Sequence, residues 1–371
     1  MADTPLAHIL FISPLETYSN SPQPNTTILS VPLSSLRTAF TVPKSISLPL
    51  CPITVHGLLA ADLALDTSTI RAPWRAVLPT FSDFQSSMPL LWPTSLQSLL
   101  PPTATTLLNN QKKKLAADWS TVSSAFPDLS YDNYVYAWLL VNTRTFYFLS
   151  ASKKPGYTHP TNRDDCMALQ PFADYFNHTS SSSPSGTSTE CVVSFTATGY
   201  TFTTPSFCTI EKGTEIFITY GDHSNDFLLA EYGFILADGE NEWDEISLDP
   251  YILPLFSASQ KEKLDEMGFL GNYALDRREV CYRTQVSLRI LFLPLKKWQR
   301  FANGADYGEQ DQKDVDHLLL EVLKRYQNDA TRTIKKIGGL KEGLPSQRDT
   351  LSKRWKQLHL LLQTAIDRIQ S

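Results

Sequence analysis

The sequence predicts an α+β protein: a β-rich domain interrupted by a helical insert, followed by an all-helical C-terminal domain. Three observations predict it. Short runs of β-branched and aromatic residues lie at Ile28 to Val31 and again between Cys191 and Tyr220. Apolar residues at helical spacing fill the stretch between those runs. From Tyr251 to the end, helical spacing dominates. We expect residues 1–240 to form the first domain, with the insert over about 74–165, and residues 241–371 the second.

Each element has a local reason. Ile28 to Val31 is a β-branched run, and Pro43 and Pro49 limit helix within the first 70 residues. Leu90 to Leu100, Thr103 to Ser123 and Tyr131 to Ser150 are expected helices, separated by Pro101-Pro102 and Pro127. Ser130 is placed to cap the last of these. A loop is expected over Lys153 to Asp165. Cys191 to Phe195, Tyr200 to Thr204 and Glu215 to Tyr220 are expected strands, with turns at Gly199 and Gly213. The Ser/Gly/Pro-rich tract Thr179 to Ser188 is expected to be a loop. Ser224 caps an amphipathic helix over Asp226 to Gly233. Further helices are expected over Ser259 to Met267, Ala274 to Leu291, Asp311 to Asp329 and Gln347 to Gln370, with a break at Gly338-Gly339.

Composition narrows the function classes. The 371 residues are 42% hydrophobic, enough to bury a sizeable core. A net charge of -5 offers no general attraction to nucleic acid. The five cysteines are scattered and form no C-x-x-C pair, so a disulfide or zinc framework is not expected and a reducing compartment is. No run approaches the roughly 18 apolar residues of a spanning helix. We expect a monomer in the cytoplasm and/or nucleus, with no membrane and no direct nucleic-acid partner. No G-x-G-x-x-G follows a strand, and no G-x-S-x-G occurs.

Two segments carry chemistry. In the first, Ala173 to His178 (ADYFNH), Asp174 and His178 are four apart and would share one face of a helix. That spacing suits a metal pair, but no further ligand lies nearby at the right spacing, so no metal is expected. The plainer alternative is a polar helix end. In the second, Ile216 to Gly221 (IFITYG), Tyr220 closes a strand before a glycine, where its hydroxyl can enter a cavity. A tyrosine with a packed ring and a wet hydroxyl is the commoner case.

Taken in order, the two segments resemble the C-terminal half of a SET domain, in the branch of the Rubisco large-subunit methyltransferase and the fungal ribosomal-protein lysine methyltransferases. The matching residues are Asp174, Asn177 and His178; Gly213 to Gly221; and Ser224, Asn225, Leu228 or Leu229, Tyr232, Gly233 and Phe234. Trp74, the NTRTF segment Asn142 to Phe146 and the helical tail extend the resemblance more weakly. It implies a protein-lysine N-methyltransferase that uses S-adenosyl-L-methionine on a protein substrate held by the C-terminal domain. Tyr220 is then the catalytic residue. Arg144, Asp174, Tyr175, Phe176, Asn177, His178, Tyr232, Gly233 and Phe234 are then the donor-binding set, with Arg144 on the donor carboxylate and Asp174 bracing its segment. The family's opening Gly-x-Gly loop has no counterpart here, because the first glycine is Gly57. Either the chain starts downstream of that loop or it lacks part of the donor site. An interaction module of the same fold without catalysis, or a histidine-directed methyltransferase, are the alternatives. The basic residues of the tail, such as Lys335, Lys336 and Lys341, are read as a solvated helix face.

Overall fold

The computed structural model describes residues 23–69, 72–149, 165–180, 189–196, 198–206, 210–305 and 308–371. The expected loops at 153–164 and 181–188, and the first 22 residues, lie outside these. In chain order the described elements are β1 (Thr27–Pro32), α1 (Lys44–Ser47), α2 (Val55–Ala64), α3 (Ala72–Arg75), α4 (Phe81–Ser87), α5 (Thr94–Gln97), α6 (Pro102–Ala125) and α7 (Tyr131–Arg144). Then come β2 (Thr145–Tyr147), β3 (Met167–Leu169), β4 (Asn177–His178), β5 (Val192–Thr196), β6 (Gly199–Thr203), β7 (Phe217–Ile218) and α8 (Asn225–Tyr232). The remainder is β8 (Glu245–Ser247), α9 (Asp249–Ile252), α10 (Ala258–Glu266), β9 (Ala274–Asp276), α11 (Tyr282–Arg289), α12 (Leu295–Ala302), α13 (Gln312–Gly339) and α14 (Pro345–Gln370).

The chain divides into two compact units. The first comprises residues up to Leu91, 107–222 and 231–233; the second comprises 92–106, 223–230 and 234–371.

In the first unit, β6 lies between β1 and β5, antiparallel to both. Val31, Phe202, Tyr200, Phe176 and Ile218 form one core beneath it, with Phe176 stacked on Phe202 at 5.1 Å. A second core gathers around α2 and α7, where His56 stacks on Trp138 at 4.1 Å and shares a hydrogen bond of 2.9 Å with the Trp138 carbonyl. Helix α7 starts where Ser130 accepts a hydrogen bond from the Asn133 amide. Among the described residues of the second unit, α13 and α14 bury Leu319, Leu323, Tyr326, Leu351, Leu358 and Leu362.

Several expectations need correction. Helix α2 does occur within the first 70 residues. Pro43, Pro49 and Pro52 all precede it, and Thr54 caps it by accepting from the Gly57 amide. The expected helix Tyr131 to Ser150 stops at Arg144, because Thr145, Phe146 and Tyr147 turn into β2 and pair with β3. Leu90 to Leu100 is broken by Pro93 into a 3-10 turn, Pro89–Leu91, and the short α5. Of Glu215 to Tyr220, only Phe217 and Ile218 are strand. Ala274 to Leu291 begins as a strand, β9, paired with β8. The Asp276 carboxylate accepts from the Arg278 and Glu279 amides, a turn that competes with helix, so α11 starts only at Tyr282. Helix α13 runs past Asp329 to Gly339.

Candidate functional site

The two segments singled out in sequence meet as neighbouring strands. β4 and β7 pair in parallel, with Asn177 opposite Phe217 and His178 opposite Ile218. Asp174 and His178 therefore do not share a helical face: Ala173–Tyr175 is a single 3-10 turn, and the chain is extended from Phe176 onward. Only extended backbone can lend its amides and carbonyls to a neighbouring strand, which is why the polar pair Asn177-His178 leaves the turn.

Tyr220, two residues beyond β7, is fastened at both ends to the first segment. Its backbone amide donates to Nδ1 of His178 at 3.0 Å. Its hydroxyl donates to the carbonyl of Phe176 at 2.7 Å. A neutral His178 with Nδ1 accepting carries its proton on Nε2. The Tyr220 ring lies 5.1 Å from His178 and 5.0 Å from Tyr232. Burial raises the Tyr220 phenol well above its ordinary range, so at neutral pH it is a phenol and not a phenolate. Burial likewise pushes Tyr232 up to about 12, with the Glu231 carboxylate beside it adding to the effect.

A second cluster adjoins this one. Arg144, the last residue of α7, donates from Nη1 to the Asp174 carbonyl at 2.8 Å and lies 3.7 Å from its carboxylate. Trp74 Nε1 donates to the same carboxylate at 2.9 Å. Burial raises the Asp174 carboxyl above the usual range, and Arg144 and then Trp74 pull it back down. Arg144 and Gln170 flank the Thr145–Leu169 pair that ends the β2–β3 ladder. Four buried polar atoms here have no hydrogen-bond partner among the described residues: Arg144 Nε, Asp174 Oδ1 and both amide atoms of Gln170. Unmatched buried donors and acceptors are rare, and these four are open to a polar group of a ligand or to ordered water.

Tyr232 is positioned by a clamp on its neighbour. Gln111 Nε2 donates to the Glu231 carboxylate at 2.6 Å, and Asn142 Nδ2 donates to the Glu231 carbonyl at 2.8 Å and to its carboxylate at 3.1 Å. Gly233 follows at a φ of +81°, a conformation that favours glycine.

The donor-site residues expected from sequence are thus distributed as follows. Phe176, His178, Tyr220 and Tyr232 come together, as do Arg144 and Asp174. Phe176 contributes its carbonyl, since its ring is in the core on Phe202. The Asn177 side chain donates to Glu215 at 2.5 Å. Tyr175 turns its ring to Phe172 and to the helical core. Phe234 belongs to the second unit, where its amide donates to the Leu228 carbonyl. Sequence reasoning had Trp74 only as a weak match, and it missed Gln111, Gln170 and Glu231. No spacing signal links them: Trp74 and Asp174 are 100 residues apart, and Gln111 and Glu231 are 120 apart.

Paired β4 and β7 segments that hold a tyrosine over an Asn-His carrier define the class: this is a SET domain with a helical C-terminal region. Comparisons with known proteins agree. The family described as ribosomal lysine N-methyltransferase 2 C-terminal domain matches residues 244–368. The chain is 30% identical over 260 residues to ribosomal lysine N-methyltransferase set11 of Schizosaccharomyces pombe, covering 67% of this chain and 62% of that protein. It is 27% identical over 251 residues to SET domain-containing protein 4 of Mus musculus, covering 64% of this chain and 54% of that protein. The chain thus spans less than two thirds of the length of these relatives. Among solved structures, the SET domain of LSMT bound to lysine and AdoHcy superposes with a TM-score of 0.60 at 16% identity, covering 95% of this chain and 83% of that one. The chain thus has the SET-domain fold, and in sequence it is similar to ribosomal lysine N-methyltransferases, over 67% of its length for set11.

Proposed function

We propose that this chain is a protein-lysine N-methyltransferase that uses S-adenosyl-L-methionine, with a lysine of a ribosomal protein as acceptor. The observation that carries the reading is the double attachment of Tyr220 to Phe176 and His178, against the ring of Tyr232. The relatives' names support the acceptor class.

The residues present fit the donor. Arg144 Nε and Asp174 Oδ1 are a buried donor and a buried acceptor without partners among the described residues, on side chains that approach to 3.7 Å through Nη1 and Oδ2. The carboxylate and ammonium of an amino-acid end match that pair. Arg144, Asp174, Asn177, His178 and Tyr232 would hold the donor. When bound, it supplies a methyl group on a positively charged sulfur. The protein's own part is positioning and electrostatics. The Tyr220 hydroxyl gives its proton to the Phe176 carbonyl, so toward any further group its oxygen can act only as an acceptor. An acceptor oxygen there orients an amine and attracts polarised C–H groups. The partly buried rings of Tyr220 and Tyr232 shield a cationic substrate from water.

We further assign the protein to the cytoplasm or nucleus, acting as a monomer. Among the described residues, Cys51 and Cys281 are free thiols, in keeping with a reducing compartment. The test of function is incubation of the purified chain with radiolabelled S-adenosyl-L-methionine and ribosomal protein. Label in a protein band, located on lysine by mass spectrometry, is expected. Label on histidine would favour the histidine-directed reading. Donor binding without transfer would favour an interaction module of the same fold.

A further inference from the structure

The indole of Trp74 has no assigned role, and its placement is unusual for a tryptophan in a helical insert. Trp74 lies on the short α3 and is 3% exposed. Its Nε1 donates to Asp174 Oδ2 at 2.9 Å across 100 residues of sequence. The Asp174 side chain is 1% exposed and is flanked by Arg144, itself 13% exposed. Trp74 thus donates to a buried carboxylate that also faces Arg144 and the backbone of Phe172 and Asp174, while Asp174 Oδ1 has no hydrogen-bond partner among the described residues.

We propose that Trp74 is a positioning residue of the donor site: its N–H fixes the Asp174 carboxylate, and Asp174 in turn fixes the Arg144 guanidinium for the amino-acid end of the donor. This rests on the donor reading above. A carboxylate held at only one oxygen by only one partner can swing about its χ2, a broad and soft torsion. The indole removes that freedom. It does so as a neutral donor, so it adds no charge to compete with Arg144 for the donor's carboxylate. A lysine or arginine in its place would neutralise Asp174 and release Arg144. Trp74 also lines a cavity of about 200 Å³ with Arg37, Asp66, Arg75, Tyr136 and Leu140.

The indole bond also leaves a signature in pH. Burial raises the Asp174 carboxyl, while Arg144 and the Trp74 N–H lower it. The other titratable groups that face it are Tyr175 and Tyr220, both neutral phenols at neutral pH. Donor binding that needs the ionised carboxylate is lost as pH falls through the Asp174 pKa. Removing the indole N–H raises that pKa, so the acid limb of donor affinity moves to higher pH.

The experiment is calorimetric titration of S-adenosylhomocysteine, as a non-reacting donor mimic, between about pH 5 and 8, on the full chain and on Trp74→Phe, Asp174→Asn and the double variant. Circular dichroism checks the fold of each. For Trp74→Phe we expect a roughly tenfold loss of affinity at neutral pH, which is about 1.4 kcal/mol, and an acid limb shifted upward. In Asp174→Asn the acid limb should vanish, and adding Trp74→Phe should then change affinity by less than about twofold. A Trp74→Phe variant with unchanged affinity and an unchanged acid limb overturns the proposal. So does a full additional loss in the Asp174→Asn background. If the unmodified chain itself does not bind the mimic, it is the donor reading that fails.

Discussion

At the scale of residues, Tyr220 is the informative case. Sequence placed it at a strand end before Gly221, where a wet hydroxyl is the usual outcome. In the structure its hydroxyl is spoken for by the Phe176 carbonyl and its amide by His178. Both partners lie more than forty residues away, so no local pattern could reveal them. Replacing it with phenylalanine keeps the ring against Tyr232 and removes only the oxygen. Tyr220→Phe is therefore expected to lower the transfer rate by about 10²-fold or more, the usual scale for losing one polar group aimed at developing charge. Affinity for S-adenosylhomocysteine should change by less than about threefold. Single-turnover kinetics beside calorimetry separate the two, and a parallel loss in both would mean that Tyr220 is structural.

At the scale of elements, the end of α8 sets Tyr232. Gln111 on α6 and Asn142 on α7 hold Glu231, and Gly233 then turns the chain at a φ of +81°. A Cβ added to Gly233 would come within 2.9 Å of Met88 Sδ and 3.1 Å of the Ser87 carbonyl carbon. Gly233→Ala thus meets both a strained backbone and a crowded site. It is expected to destabilise the chain by about 1–3 kcal/mol, read as a lowered urea midpoint. A midpoint within error of the unmodified chain would show that the α4 side of this turn gives way freely. The sequence did reveal this helix, its Ser224 cap and its glycine stop, because caps and stops are local hydrogen-bond problems. It did not reveal the clamp, because Gln111 and Asn142 look like ordinary polar residues on helix surfaces until Glu231 is laid against them.

At the scale of the whole molecule, each unit buries an ionisable group whose state depends on its own interior. In the second unit Arg354 is fully buried and bonds Asp226 at 2.6 Å and Asp244 at 2.7 Å. In the first, burial lowers His56 from 6.5 to about 3. For a histidine with a depressed folded pKa, the unfolded chain takes up the proton first as pH falls. Stability is therefore complete above about 6.5 and declines between there and about 3. The expected slope approaches 1.4 kcal/mol per pH unit for this one group. Denaturation midpoints of the unmodified chain and of His56→Gln, measured from pH 7 to pH 4, check it. The variant should lose one proton's worth of slope, and equal slopes would count against a buried neutral His56.

Sequence alone determined the order of β-rich and helical segments, the caps at Ser130 and Ser224, and the membership of Asn177-His178 and Tyr220-Gly221 in one motif. These are properties of neighbours along the chain, set by side-chain period, backbone preference and local hydrogen bonding. The tertiary structure decided the rest. It made Ala173–Tyr175 a 3-10 turn and Asn177-His178 a strand, because β7 offers parallel partners there. It stopped α7 at Arg144, because β3 takes up the backbone of Thr145 to Tyr147. It brought Trp74 to Asp174 and Gln111 to Glu231. The physical reason is common to all four: a polar group that leaves water must find a partner, and for these groups the partner comes from a part of the chain that only folding brings near.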